Sequence, residues 1–159
     1  MNVFVDTNVV VHAHDRTDAV KCERARALLE AHARDGSLTV RTQVLQETYA
    51  VLIRKALVEP AKALFAVETL AASRVVGSNA SFVLDALRLV QRHQLSLWDA
   101  LIVQAALAAS CTTLLTEDLQ AGQRFGNLEV VDPFLDAVQS PRAHCARRPA
   151  AKVTGRRRR

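Results

Sequence analysis

The sequence predicts an α/β protein, a three-layer α/β/α sandwich built on a five-stranded parallel sheet. Short apolar segments rich in β-branched residues alternate with longer segments of helical periodicity. Half of the 159 residues are hydrophobic, chiefly Ala, Leu and Val, and only 4% are aromatic. This alternation is typical of parallel strands that are covered by helices on both faces.

The predicted strands are short, apolar and followed by a turn or polar residue. They lie at residues 2–5, 38–41, 74–76, 112–115 and 128–131. Continuous apolar runs of this length are typical of strands buried on both faces of a sheet. Each strand is therefore expected to contribute to one central core.

Helices are predicted over residues 19–34, 42–58, 60–72, 79–93 (opened by Asn79 or Ser81) and 98–109 from their apolar periodicity. Asp18 and Thr42 are expected to cap the first two, and Pro60 fits the first turn of the third. Ser96 or Leu97 begins the last helix, which is apolar on most of its faces. We therefore expect that helix to be central.

The net charge of +5 is distributed unevenly along the chain. Residues 139–159 hold eight basic side chains and no acid, while the rest holds 13 basic and 16 acidic residues. We expect a folded domain over residues 1–137 and a basic, disordered tail over 138–159. The tail either attracts nucleic-acid phosphates or is an idle, solvated extension.

The cysteines and the hydropathy pattern indicate a cytoplasmic protein. Cys22, Cys111 and Cys145 are far apart and odd in number, which suggests neither a zinc site nor a disulfide framework. No apolar run approaches the roughly 20 residues of a membrane span. The N-terminal sequence MNVFVDTN lacks the features of a signal peptide.

Four acidic residues are predicted to lie at one edge of the sheet. Asp6 ends the first strand, and Asp118 lies just past the fourth. Glu47 is one turn into the helix after the second strand, and Asp99 is in the first turn of the helix before the fourth. Binding sites in open α/β sheets form at the carboxyl ends of strands, so these acids mark a candidate site.

Each acid has an ordinary structural interpretation when it is taken alone. Asp6 fits a helix cap, Asp99 an acid at a helix N-terminus, Asp118 a turn residue and Glu47 an exposed helical residue. Their coincidence at one edge carries the prediction. Glu117 is the alternative to Asp118 as the inward-facing acid.

A divalent cation best explains the apolar surroundings of Glu47 and Asp99. A carboxylate on such a face is costly to bury without compensation. None of the basic residues near Glu47 and Asp99 falls on a face that obviously matches either acid. These basic residues are Arg41, Arg54, Lys55 and Arg92. Mg²⁺ and Mn²⁺ prefer carboxylate oxygens and water, and metal-bound water is an efficient nucleophile for phosphodiester hydrolysis.

The ordered acids resemble those of PIN-domain ribonucleases, and most closely the VapC-type toxins of bacterial toxin–antitoxin pairs. The matching segments are residues 4–8 (FVDTN), 46–47 (QE), 97–102 (LWDALI) and 115–119 (LTEDL). The resemblance spans roughly residues 1–137, and the order and spacing of all four acids agree. The basic tail is not part of the family pattern.

The resemblance implies an α/β/α fold, endonucleolytic hydrolysis of RNA, homodimerisation and inhibition by a cognate antitoxin. It implies Mg²⁺ or Mn²⁺ held chiefly at Asp6 and Asp99, with Glu47 and Asp118 completing the site directly or through water. Supporting polar positions that orient the acids or water are matched by Thr7, Asn8 and Thr116. A PIN-type nuclease that processes RNA without being a toxin is the alternative within the family.

Other classes fit less well. A haloacid-dehalogenase phosphatase needs a second Asp where Asn8 stands, and a response-regulator receiver needs an acidic pair and a late Lys that the body lacks. A non-catalytic module that binds nucleic acid or a partner is the stronger alternative to a nuclease.

Candidates for a basic rim around an RNA substrate are Arg16, Lys21, Arg41 and Arg124. His12 and His14 fit helix-surface or packing roles, with catalysis as the alternative.

Overall fold

A computed structural model describes residues 2–135 of the chain. The predicted tail at 138–159, and Cys145 within it, lie outside the described residues. The boundary at residue 137 therefore stays a prediction. Of the described cysteines, Cys22 and Cys111 are free and buried.

Strands and helices alternate along most of the described chain. Their order is β1 (Val3–Val5), α1 (Thr7–His12), α2 (Ala19–Arg34), β2 (Leu38–Arg41), α3 (Thr42–Arg54), α4 (Pro60–Ala71), β3 (Arg74–Val76), α5 (Ala80–His93), α6 (Leu97–Ala108), β4 (Thr113–Leu115), β5 (Arg124–Phe125) and β6 (Leu128–Val131). Within residues 2–135, no helix combines the length and the apolar character needed to cross a membrane.

The sheet has six strands in the order β3-β2-β1-β4-β6-β5. The five predicted strands are all present and pair in parallel. The expectation of five strands missed β5, which pairs antiparallel with β6 at the sheet edge. A two-residue strand carries no periodicity that a sequence pattern can reveal. Gly126, with φ +62°, lies in the turn that joins β5 and β6.

Helices cover both faces of the sheet, as the α/β/α prediction requires. On one side α5 packs on α6, and α6 lies against β2 and β4. On the other side α1 packs on α2 and α3, and α3 packs on α4. Buried strand side chains such as Phe4, Val40 and Leu114 fill the interior, and α6 adds six buried residues. The prediction that this last helix is central is confirmed.

Capping side chains begin most of the helices. Asp6, Asp18, Asn79 and Ser96 each accept a hydrogen bond from a backbone N–H of the first turn that follows. The predicted cap at Thr42 is wrong, because Thr42 is the first residue of α3 and its hydroxyl donates to the Val76 carbonyl at 3.4 Å. That bond joins the start of α3 to the end of β3.

Candidate active site

The register between β1 and β4 brings two distant polar segments side by side. Val5 pairs with Leu115 in parallel, so the next residues, Asp6 and Thr116, leave the sheet at the same level. The backbone N–H of Asp6 donates to the Leu115 carbonyl at 3.1 Å. The carboxyl edge of the sheet thus places Asp6 beside the segment that carries Thr116 and Asp118.

Both oxygens of Asp6 are held by hydrogen bonds. Oδ1 accepts from the backbone N–H of Thr7 at 2.6 Å, because Asp6 caps α1. Oδ2 accepts from the Thr116 hydroxyl at 2.8 Å and from Asn8 Nδ2 at 3.3 Å. Thr116 is fully buried, so its hydroxyl is a fixed donor rather than a solvated one.

The side-chain amide of Asn8 links Asp6 to Asp118. In addition to Asp6, Nδ2 donates to Thr116 Oγ1 at 3.0 Å and to Asp118 Oδ2 at 3.0 Å. The backbone N–H of Asp118 also donates to Thr116 Oγ1, at 3.2 Å. Asp118 is exposed, whereas Asp6 and Asn8 are partly buried. The amide therefore connects the interior of the site to its solvent-facing side.

Glu47 joins the same network through Thr7. The Thr7 hydroxyl donates to Glu47 Oε2 at 2.8 Å, and Gln43 Nε2 donates to Oε1 from one turn earlier on α3. The sequence places no basic residue on an obvious matching face for Glu47. In the structure, burial lowers the pKa of Arg41 and the nearby charge of Glu47 partly opposes that shift. Arg41 therefore offers Glu47 favourable long-range charge without a direct ion pair.

Asp99 shares no hydrogen bond with the other three acids among the described residues, and its side chain is bound by Ser96 instead. It is in the first turn of α6, where Ser96 Oγ donates to Asp99 Oδ2 at 2.7 Å and accepts from the Asp99 backbone N–H at 3.1 Å. Because α6 runs back to the start of β4, its N-terminus lies toward the carboxyl edge of the sheet. Among the described hydrogen bonds, none joins Asp99 to Asp6, Glu47 or Asp118.

Burial destabilises the ionised form of the Asp6 carboxyl group. Desolvation raises its pKa from 3.8 to about 6. Hydrogen bonds from the Thr116 hydroxyl and the Thr7 backbone oppose the rise, while the charges of Asp118 and Glu47 add to it. The ionised form of Asp6 is thus destabilised by its own surroundings and would be favoured by an added positive charge.

The side chains of this edge fit a hard divalent cation by their chemistry. Their donors are carboxylate, hydroxyl and amide oxygens, which Mg²⁺ prefers. Asn8 Oδ1 is buried and has no hydrogen-bond partner among residues 2–135, so one oxygen in the centre of the network is uncommitted. As arranged, no three His, Cys, Asp or Glu side chains of the described chain are close enough to hold an ion.

A family model for the PIN domain matches residues 3–124 of the chain. The chain belongs to the PIN domain family. A search among curated proteins gives no significant match to the sequence. The family match covers β1 through the start of β5 and includes all four predicted acids.

Solved structures share the fold of this PIN domain at low sequence identity. VapC20 of Mycobacterium tuberculosis, a sarcin–ricin loop cleaving toxin, is 21% identical, with TM-score 0.57, over 71% of this chain and 87% of its own. A toxin–antitoxin complex from Klebsiella pneumoniae is 18% identical, with TM-score 0.61, over 84% and 98%. VapBC2 of Rickettsia felis, bound to a fragment of promoter DNA, is 19% identical, with TM-score 0.58, over 83% and 100%.

Glu117 and Asp118 point to different partners in this PIN domain. Asp118 reaches the Asn8 amide, as described above. Glu117 Oε1 lies 2.7 Å from His12 Nε2, and its Oε2 lies 2.6 Å from Lys21 Nζ. Of the two neighbouring acids, it is therefore Asp118 that joins the network around Asp6. His12 contacts Glu117 and packs against the Phe134 ring, which agrees with the packing role predicted for His12.

Arg41, a candidate for the substrate rim, is buried in the PIN domain. Only 5% of its surface is exposed. Its guanidinium lies 5.2 Å from the centre of the Phe82 ring, and Nη2 donates to Ser78 Oγ at 2.9 Å. Nε and Nη1 are buried without a partner among the described residues. Its guanidinium therefore lies in the interior of the domain and not on its open surface.

The other rim candidates differ in how far they are engaged. Lys21 is held by Glu117, and Arg124 forms an ion pair with Glu129 at 2.5 Å. Arg16 is exposed and makes no ion pair within the described part of the chain.

Two partners of the acids were not predicted from the sequence. They are the side chain of Gln43, which contacts Glu47, and the hydroxyl of Ser96, which contacts Asp99. Their spacing of four and three residues from Glu47 and Asp99 is the signal that could have found them.

Proposed function

We propose that this PIN-domain protein is a Mg²⁺-dependent endoribonuclease that hydrolyses RNA phosphodiester bonds as the toxin of a toxin–antitoxin pair. The observation that carries the proposal is the network of Thr7, Asn8 and Thr116 at the carboxyl edge. It ties Asp6, Glu47 and Asp118 together from distant parts of the chain. A network of this kind gathers negative charge where a phosphate-cleaving metal nuclease needs it.

Asp6 and Asp99 are proposed as the chief ligands of Mg²⁺ or Mn²⁺, with Glu47 and Asp118 binding directly or through water. When bound, the cation supplies a water of lowered pKa and screens the negative charge of the phosphate. Asp6 supports this assignment through its burial and raised pKa. The support for Asp99 is its place on α6 at the same edge and the family motif around it.

The polar residues of the site orient the acids. Thr116 holds Asp6 Oδ2, and the N-cap bond from the Thr7 backbone holds Oδ1, so this carboxylate cannot rotate freely. The Thr7 hydroxyl and Gln43 hold the two oxygens of Glu47. Such fixed carboxylates avoid the cost of reorganisation when the charge of the reaction develops.

The biological partners are proposed on the family resemblance and on the structural relatives. One relative is a toxin that cleaves the sarcin–ricin loop, and two others are toxin–antitoxin complexes. RNA is accordingly the proposed substrate, a cognate antitoxin the proposed inhibitor, and a homodimer the proposed assembly. A cytoplasmic location is proposed as well, and the free, buried Cys22 and Cys111 are compatible with it.

A cleavage assay tests the proposed activity. Purified protein and an Asp6→Asn variant are incubated with structured RNA, with and without Mg²⁺. We expect cleavage by the wild type alone and only with the metal. Cleavage by both proteins would overturn the site assignment, and cleavage by neither would favour a non-catalytic binding module.

Controlled expression in a bacterial host tests the toxin role separately. We expect growth arrest with the wild type and normal growth with Asp6→Asn at equal protein levels. Cleavage in the test tube without growth arrest would favour an RNA-processing nuclease that is not a toxin.

A further inference from the structure

Glu117 is the central acceptor of a charged cluster on the outer side of the 116–118 segment. His12 Nε2 and Lys21 Nζ approach its two oxygens at 2.7 and 2.6 Å. The three side chains are only 19–27% exposed, so solvent weakens these contacts less than at an open surface. The cluster joins α1 and α2 to the segment that follows β4.

The electrostatics of the cluster favour an ionised Glu117. Burial alone would raise the pKa of Glu117, but hydrogen bonds from Lys21 and His12 outweigh it and the pKa is lowered. Each oxygen of Glu117 faces a group that can donate a hydrogen bond, His12 Nε2 or the Lys21 ammonium.

A buried ring supports both partners of Glu117. Phe134 is 2% exposed and lies after β6. His12 packs edge-on against this ring at 4.8 Å, and Lys21 Nζ lies 5.0 Å from its centre. Such packing restricts the rotamers of His12 and Lys21, so they present a preformed pair of donors to Glu117.

Helix α1 holds the 116–118 segment at two points. Asn8, near the start of the helix, donates to Asp118, and His12, at its end, contacts Glu117. Thr116 between strand and loop is bound to Asp6. Asp118 is exposed, and its side chain has Asn8 as its described partner, so its place depends on how the segment is held.

We propose that Glu117 is a positioning residue for the metal nuclease reaction, an inference that rests on the proposed function. Held by His12 and Lys21, Glu117 fixes the 116–118 segment so that Asp118 stays beside Asn8 and Asp6. Without this hold, the segment samples other conformations and the acidic edge binds a divalent cation less tightly. Glu117 itself contacts neither the cation nor the RNA.

The test compares Glu117→Ala and Glu117→Gln with the wild type, using Mn²⁺ binding by calorimetry and RNA-cleavage kinetics. We expect Glu117→Ala to raise the Mn²⁺ Kd and lower kcat, each by about tenfold, since loss of an outer-shell partner typically has this effect. KM should change by less than about twofold, because no substrate contact is lost. Glu117→Gln keeps an oxygen for Lys21 and should recover part of both losses.

Asp85→Ala is the matched control, because it removes an ion-paired carboxylate from the exposed side of α5. It should match the wild type in Mn²⁺ Kd and kcat. If circular dichroism shows that Glu117→Ala is unfolded, Lys21→Met takes its place, since it keeps the aliphatic stem near Phe134 and removes the ammonium. Wild-type Kd and kcat in the folded variant would overturn the inference.

Failure of the proposed function gives a different pattern. A wild type that neither binds Mn²⁺ nor cleaves RNA, and that behaves like Asp6→Asn, overturns the nuclease and the positioning role together. An active wild type that Glu117→Ala equals in every readout overturns the positioning role alone.

Discussion

Asn8 Nδ2 donates to Asp118 Oδ2 at 3.0 Å, across 110 residues of sequence. The same nitrogen lies within hydrogen-bond distance of Thr116 and Asp6. A neutral amide thus stands between two carboxylates that would otherwise face each other. Its N–H groups donate to both carboxylates, which reduces the repulsion between their negative charges. The same contacts join the end of β1 to the segment after β4.

Replacing this amide should impair catalysis more than folding. Asn8→Ala removes the link between Asp6 and Asp118, and we expect kcat for RNA cleavage to fall by about tenfold or more. The loss in unfolding free energy should be about 1 kcal/mol, as for a typical hydrogen-bonded side chain. Kinetics and urea unfolding measure the two quantities. Asn127→Ala, at an exposed turn residue, is the control, and an unchanged kcat in Asn8→Ala would contradict the prediction.

The pKa of Asp6 predicts a stability that depends on pH in the metal-free protein. Since burial raises this pKa from 3.8 to about 6, the folded state binds the proton more tightly than the unfolded state. The favourable contribution of Asp6 is fully present below pH 3.8 and is lost as the pH rises through 6. Ionised Asp6 therefore weakens the metal-free fold at neutral pH.

Asp6→Asn should accordingly stabilise the metal-free protein at pH 7.5, by up to about 3 kcal/mol. Asparagine caps a helix as well as aspartate does, so the start of α1 is retained. The gain should vanish near pH 4, where Asp6 of the wild type is protonated. Urea unfolding in EDTA at both pH values measures it. Asp18→Asn, at an exposed cap, controls for capping, and a variant less stable than the wild type at pH 7.5 would refute the prediction.

Ser96 both caps α6 and holds Asp99, so its loss should affect stability and activity together. We expect Ser96→Ala to lower the unfolding free energy by about 1 kcal/mol and to reduce kcat, because Asp99 loses its hydroxyl donor. Ser96→Thr keeps the hydroxyl and should have the unfolding free energy and the kcat of the wild type. Asn79→Ala removes the cap of α5 at a similar cost in stability and should leave kcat unchanged. Equal kcat values in all three variants would show that Asp99 needs no such support.

We expect Arg41 to be dispensable for RNA binding and to lower the stability of the fold. Two of its buried nitrogens have no hydrogen-bond partner among residues 2–135, and burial lowers the pKa of its guanidinium. Arg41→Met fills a similar volume without the buried charge, so we expect a Tm equal to or above that of the wild type. KM for RNA should stay within about twofold, because the side chain is hidden beside Phe82. A rise in KM with unchanged kcat would instead place Arg41 at the substrate.

Much of the fold follows from local patterns that the tertiary structure does not alter. Apolar runs gave the five parallel strands, and side chains such as Asp18 and Ser96 marked helix starts, because capping is decided within one turn. The two-residue β5 was missed, since it exists only through pairing with β6. Thr42 was misassigned as a cap because its hydroxyl is recruited by Val76, from a strand 34 residues away.

The sequence by itself determined the strand ends and helix starts that carry the four acids of the candidate site, since these are local properties. Only the tertiary structure decided which neighbouring polar groups join them. It linked Asp118 to Asn8 and turned Glu117 toward His12 and Lys21. Partners of this kind depend on distances between segments about 100 residues apart, which are set by strand register and helix packing and not by periodicity along the chain.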